Sequence, residues 1–245
     1  KMGEKPIYYG FAGNDFLFGS ELKALKIFPK FKNKIDRNSI ASLMRYSYIP
    51  TPHTIYQDIF KLEPGHYLEF DVNKKLLKKS CYWSVEETYN KYKVNGYHGT
   101  PEDSVNDLET ILTKTIKNQM IADVPLGAFL SGGVDSSTIA ALMQRQSTRK
   151  INTFSIGFEV ENFNEADEAR KVARHIGTDH FDMYVSENDA LNIIPNLPNI
   201  YDEPFADSSQ IPTYLVSKIA KEKVTVALSG DAGDELFGGY NRYVY

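Results

Sequence analysis

Leu130-Ser131-Gly132-Gly133-Val134-Asp135-Ser136-Ser137 is the stretch in which residue types and spacing first suggest chemistry. It follows an apolar run, Val124 to Leu130, and precedes a helical run, Thr138 to Gln144, so it reads as a strand, a tight loop and a helix start. Gly132 and Gly133 can take positive φ and let a ligand approach the backbone. The free amides of the new helix would point out of the loop with the positive end of its dipole behind them. Ser131, Ser136 and Ser137 add short hydroxyl donors. This combination suits a phosphate or pyrophosphate. No Gly-Lys-Ser/Thr follows the glycines, so the loop is not a Walker A loop. Asp135 puts a carboxylate where an anion should bind. Two negative groups share a site only through a cation, so the pair asks for Mg²⁺. A simple helix cap would also account for Asp135 and Ser136.

The string resembles the pyrophosphate loop of the ATP pyrophosphatase (PP-loop) superfamily, Ser-Gly-Gly-x-Asp-Ser. Downstream, Ser229-Gly230-Asp231-Ala232-Gly233-Asp234-Glu235-Leu236-Phe237-Gly238-Gly239-Tyr240 resembles the second signature of one branch, the glutamine-dependent asparagine synthetases. The resemblance implies that Ser131, Gly132, Gly133, Val134, Asp135, Ser136 and Ser137 bind pyrophosphate. It puts Phe129 and Ile156 in the adenine pocket, largely through backbone groups, and Ser229 and Gly230 on the nucleotide. Asp135 and Asp234 match Mg²⁺-associated acids, and Asp231 matches an acid needed to form the acyl-adenylate. Many synthetases carry Ser-Gly-Glu-Gly-Ser-Asp-Glu here. Asp231 is one methylene shorter than Glu and Ala232 replaces Gly, which bears on aspartate as the acceptor. Tyr201 to Ser209 also resembles the family. By composition it is a loop with three acids before a Pro-started helix, and capping explains Asp207 to Ser209 equally well.

The elements that must position these residues follow from periodicity. Alternating strands and helices are expected beyond residue 100. The helix after Thr100-Pro101 carries Val105, Leu108, Ile111, Leu112 and Ile116 toward a core. Strands are expected at 124–130, 151–158, 180–185 and 223–228, and helices at 164–176, 187–194 and 212–221. This predicts an α/β fold, a parallel sheet with helices on both faces. Both Ser-Gly turns follow strands, so they fall on the carboxyl edge of the sheet, with Asp231, Asp234 and Glu235 near Asp135. Residues 1–83 read as β-rich, with a hairpin about Gly13-Asn14-Asp15 and helices at 20–28 and 36–46, the latter with Ile40, Leu43 and Met44 on one face. Lys5-Pro6-Ile7-Tyr8-Tyr9 and Phe18 to Leu25 resemble the last part of the Ntn-type glutaminase domain of asparagine synthetases. In that family the nucleophilic cysteine and the glutamine-binding residues precede this segment. A fragment without glutaminase activity is therefore expected. Polar residues 84–100 read as a linker, leaving 101–245 as the first part of the synthetase domain.

Composition narrows the function. The 245 residues are 42% hydrophobic and 24% charged, with formal net charge −4 and no basic block, which argues against nucleic acid as a partner. No apolar run approaches the roughly 20 residues that span a bilayer, and no signal-peptide pattern opens the chain. The single cysteine, Cys81, reads as a packed or edge residue, and the histidines show no zinc-ligand spacing. The expected location is the cytoplasm, with no membrane partner and a homodimer left open.

The expected function is an ATP-dependent, amide-forming ligase. It adenylates a carboxylate, foremost the β-carboxylate of aspartate, and takes ammonia from glutamine, with ATP and Mg²⁺ as cofactors. The alternatives are a related amidotransferase or β-lactam-synthetase-like enzyme acting on another carboxylate, and a non-catalytic nucleotide-binding relative.

Overall fold

The computed structural model describes residues 1–94, 96–158, 165–240 and 243. The chain divides into two compact units, 1–98 with 195–207 and 99–194 with 208–245.

The first unit opens with an antiparallel hairpin. Strand β1 (Tyr8–Ala12) pairs with β2 (Asp15–Gly19) across the turn at Gly13-Asn14, where Gly13 takes a φ of 68°. After α1 (Leu22–Lys26) and α2 (Arg37–Tyr46), strand β3 (Ile59–Lys61) pairs with the other edge of β1. Strands β4 (His66–Asp71) and β5 (Leu76–Cys81) form a separate antiparallel ribbon. Tyr8, Leu22, Leu25, Ile49, Ile55 and Ile59 make the core. Helix α2 is set differently from its sequence pattern. Ile40 and Met44 are exposed, while Ser39 is buried and Leu43 packs on the core. The Ser39 hydroxyl donates to Asp36, the N-cap, at 2.9 Å, which lets a polar residue occupy the inward face.

The stretch expected to be a linker contains a helix, α3 (Val85–Val94). Its ends explain it. The Ser84 hydroxyl accepts from the Glu87 amide, acids occupy the first turn and lysines the last. Val85, Tyr89 and Tyr92 are all exposed, so the helix presents no buried face for periodicity to detect. Cys81 is exposed at the end of β5.

In the second unit, α4 (Pro101–Gln119) begins with a capping box, in which Thr100 and Asp103 satisfy each other's backbone amides. Only its C-terminal half meets a core. Ile116 is buried and Leu112 partly so, but Val105 and Ile111 face solvent. Strand β6 (Leu126–Phe129) leads through the glycine loop into α5 (Val134–Gln146). Then come β7 (Asn152–Phe158), α6 (Ala166–Ile176), β8 (Asp179–Val185) and α7 (Glu187–Ile193). The expected start of α6 at Asn164 lies outside the described residues. Gly177 ends α6 with a φ of 80°.

The chain then returns to the first unit for 195–207, with one turn of helix, α8 (Leu197–Ile200). This stretch was expected in the synthetase domain. Within the first unit the Glu203 carboxylate accepts from the Ile55 amide (2.6 Å) and from Lys61 Nζ (2.7 Å), and Asp202 accepts from the Lys23 amide (3.3 Å). Helix α9 (Gln210–Ala220), strand β9 (Val226–Leu228) and α10 (Gly233–Phe237) belong to the second unit.

The sheet of the second unit is parallel, in the order β8-β7-β6-β9. One face buries Ala128, Leu130 and Ile151 against α4, α5 and α6. The other buries Phe129 and Phe154 against Val216, Ala220 and Val224, on and just after α9. Since successive side chains of a strand point to opposite faces, helices cover both sides, as the alternation predicts. Between β7 and β8 lies a polar layer. Thr153 meets Thr178 (2.8 Å) and His180 Nδ1 (3.0 Å), and Ser155 meets His180 Nε2 (3.1 Å).

Candidate nucleotide-binding site

The loop after β6 is built as its residue types require. Gly132 has a φ of 84° and sits so tightly that a Cβ there would lie 2.8 Å from the Ala169 amide nitrogen. The first turn of α6 thus forms a wall of the loop, a contribution from residues 168–169 that no local sequence signal announces. Gly133 is the N-cap of α5, and no side chain caps the helix. Capping therefore does not explain Asp135 or Ser136. The first-turn amides of Val134, Asp135 and Ser136 have no partner within the helix. The Ser136 hydroxyl instead accepts from the Ser131 amide (3.1 Å) and meets Ser131 Oγ (2.9 Å), which cross-braces the loop. Ser137 Oγ is buried and has no hydrogen-bond partner. In this rotamer it is shielded, so donation to a bound anion requires it to turn.

The second Ser-Gly turn comes beside the first because β9 is the immediate neighbour of β6. Ala128 stands opposite Leu228 in the parallel register, so both turns leave adjacent strands at the same edge. A Cβ at Gly230 would fall 2.7 Å from the Ser136 amide nitrogen and 3.0 Å from Asp135 C, and one at Gly233 would overlap the Asp135 carboxylate. The glycines of the second signature are therefore the space into which the first turn of α5 fits. Asp234 follows Gly233 directly and its carboxylate lies against Gly239. The Asp231 carboxylate accepts from Ser229 Oγ (2.9 Å) and is exposed. Ala232 holds a φ of 72°, a left-handed conformation in which glycine is less strained. The acids Asp231, Asp234 and Glu235 straddle the start of α10, whose Leu236 and Phe237 are exposed.

Phe129 and Ile156 stand at or near the carboxyl ends of β6 and β7, on the same edge. Phe129 packs on Phe154, so its side chain belongs to the core and its backbone is what the edge presents. In the 201–209 loop, Asp202 and Glu203 are engaged by Lys23, Lys61 and Ile55 of the first unit, and Ser209 is the N-cap of α9 without a side-chain cap bond. The described residues contain no group of three or more His, Cys, Asp or Glu side chains that could hold a metal.

Comparison with known proteins bears on both halves. Residues 107–245 match the asparagine synthase family model, and residues 1–83 match the glutamine amidotransferase domain. The chain belongs to the asparagine synthase family. It is 39% identical to a putative asparagine synthetase [glutamine-hydrolyzing] 2 of Methanocaldococcus jannaschii, over 98% of this chain and 46% of that protein. It is 34% identical to the asparagine synthetase [glutamine-hydrolyzing] 1 of Bacillus subtilis, over 99% of this chain and 37% of that protein. The chain thus spans less than half the length of these relatives. No helix among the described residues is long and apolar enough to cross a membrane.

Proposed function

We propose that this chain carries the nucleotide half of a glutamine-dependent asparagine synthetase. The carrying observation is the packing of Gly230 and Gly233 onto Asp135 and Ser136 at the carboxyl edge of the parallel sheet. It supports one site shared by both signatures. The first-turn amides of α5 and the hydroxyl of Ser131 face an anion there, and a triphosphate is the anion the two signatures imply. Phe129, Ile156, Ser229 and Gly230 bound the nucleotide. A substrate carboxylate, foremost the β-carboxylate of aspartate, attacks the α-phosphorus, pyrophosphate leaves into the Ser131–Ser137 loop, and ammonia then displaces AMP to give the amide. Preorganised amides stabilise the departing charge. Asp231 is the acid assigned to adenylate formation.

Asp135 and Asp234 are the groups that would hold Mg²⁺, which neutralises charge and lets carboxylates and phosphates share the site. Two protein acids with phosphate oxygens supplying further ligands fit the habits of this ion. Glutamine as the ammonia source belongs to the whole protein, since the segment 1–83 matches an amidotransferase domain.

A second reading follows from Asp231-Ala232 in place of Glu-Gly: the same chemistry on a different carboxylate. ATP–pyrophosphate exchange by the full-length protein, run with aspartate and a panel of other carboxylates, separates them. Exchange with aspartate is expected. Exchange with another acid alone selects the second reading, and ATP binding with no exchange under any acid reduces the site to a nucleotide-binding module.

A further inference from the structure

The first turn of α6 backs the glycine loop, and the network that holds that turn contains none of the residues assigned to the site. The fully buried residues of α6 are alanines, Ala166, Ala169 and Ala173, and further along the helix Val172 and Ile176 pack, partly buried, on the same core. At the first turn, beside the loop, the buried side chains are Ala166 and Ala169 alone, which give that turn little shape by which to fix its position. Arg170 supplies what they lack. Its guanidinium donates to Asp167 of the same turn (2.9 Å), to Asp182 of β8, and at 3.5 Å to the Tyr184 hydroxyl of β8. Tyr184 closes the ring by donating to Asp167 at 3.1 Å. The planar fork of arginine makes such a set directional. Arg170 and Asp182 are both partly shielded from solvent. One residue before this clamp, the backbone of Glu168–Ala169 touches Gly132.

We infer that Arg170, Asp182 and Tyr184 are positioning residues that set the shape of the anion loop through the first turn of α6. Resting on the proposed nucleotide site, the inference extends it to the affinity-setting elements behind the loop. Asp182→Asn removes the charge that anchors the fork while keeping its size. Arg170→Lys keeps the charge and loses the fork.

Hydrogen exchange of the full-length protein tests the mechanical claim without any ligand. Both variants are expected to speed exchange of the 130–137 amides about tenfold, leaving β7 amides at parental rates. The second arm is ATP–pyrophosphate exchange. The apparent KM for ATP should rise about tenfold while the KM for the carboxylate stays parental. Asp182→Glu should recover part of both effects. Unchanged loop exchange in both variants overturns the inference. So does a loss that falls equally on both substrates and on thermal stability, which would mark the network as merely structural. A parent protein that binds no ATP overturns the nucleotide reading but leaves the loop-exchange result to decide the mechanical claim.

Discussion

Asp135 and Asp231 are alike in type and differ in setting. Asp135 is half-buried on the first turn of α5, with Gly230 and Gly233 pressed against it. Asp231 is exposed and bonded to Ser229. In the full-length protein, Asp135→Asn is expected to weaken Mg·ATP binding itself, read by calorimetric titration. Asp231→Asn should leave binding near parental and slow pyrophosphate release by roughly 10²–10³-fold, as loss of a contact made in the transition state does. Asn keeps size and hydrogen bonding, so a large effect must come from charge. Parental pyrophosphate release in Asp231→Asn would make Asp231 a turn residue only.

The β7–β8 pair carries a pH signature. Burial holds the His180 imidazole below its ordinary value of 6.5; Asp182 pulls the other way, and Arg170 adds to the depression. Thr153 and Ser155 are its neutral hydrogen-bonding neighbours. The folded state therefore prefers the neutral ring. Its contribution to stability is complete above about pH 6.5 and is lost as pH falls through the depressed folded value. Thermal unfolding between about pH 8 and pH 5 should show the parent losing more Tm than His180→Asn over the acidic half. Parallel curves would mean that His180 titrates alike in the folded and unfolded states.

Across the whole molecule, the unexpected feature is the return of 195–207 to the first unit. Lys61 and Glu203 are well shielded, at 17% and 10% side-chain exposure, and Lys61 also donates to the Ile49 carbonyl at 2.7 Å. Removing one charge of such a pair leaves the other stranded, at about 3 kcal/mol. Glu203→Gln should therefore lower the urea midpoint of the first unit, and Lys61→Met added to it should restore part of the loss. Trp83, the one tryptophan of these 245 residues, lies in this unit and reports the transition by fluorescence. An unchanged midpoint in Glu203→Gln would show that the segment is held by its apolar contacts alone.

The sequence by itself determined the parallel α/β character, the Thr100 cap of α4, the Gly13-Asn14 hairpin and the two Ser-Gly turns. Each of these is encoded within a few residues of itself: alternation of strand and helix, a capping residue, a glycine where φ must be positive. The tertiary structure decided what depends on distant partners. Strand order put β9 beside β6 and so set Gly230 against Ser136, nearly a hundred positions away in sequence. Packing turned α2 so that Ser39 rather than Met44 faces inward, and left Val105 and Ile111 in solvent because only the end of α4 meets the sheet layer. The wall that α6 gives the loop and the anchoring of 195–207 rest on charge pairs between remote segments. No periodicity records such pairs, because their free energy depends on shielding and geometry that exist only once the chain has folded.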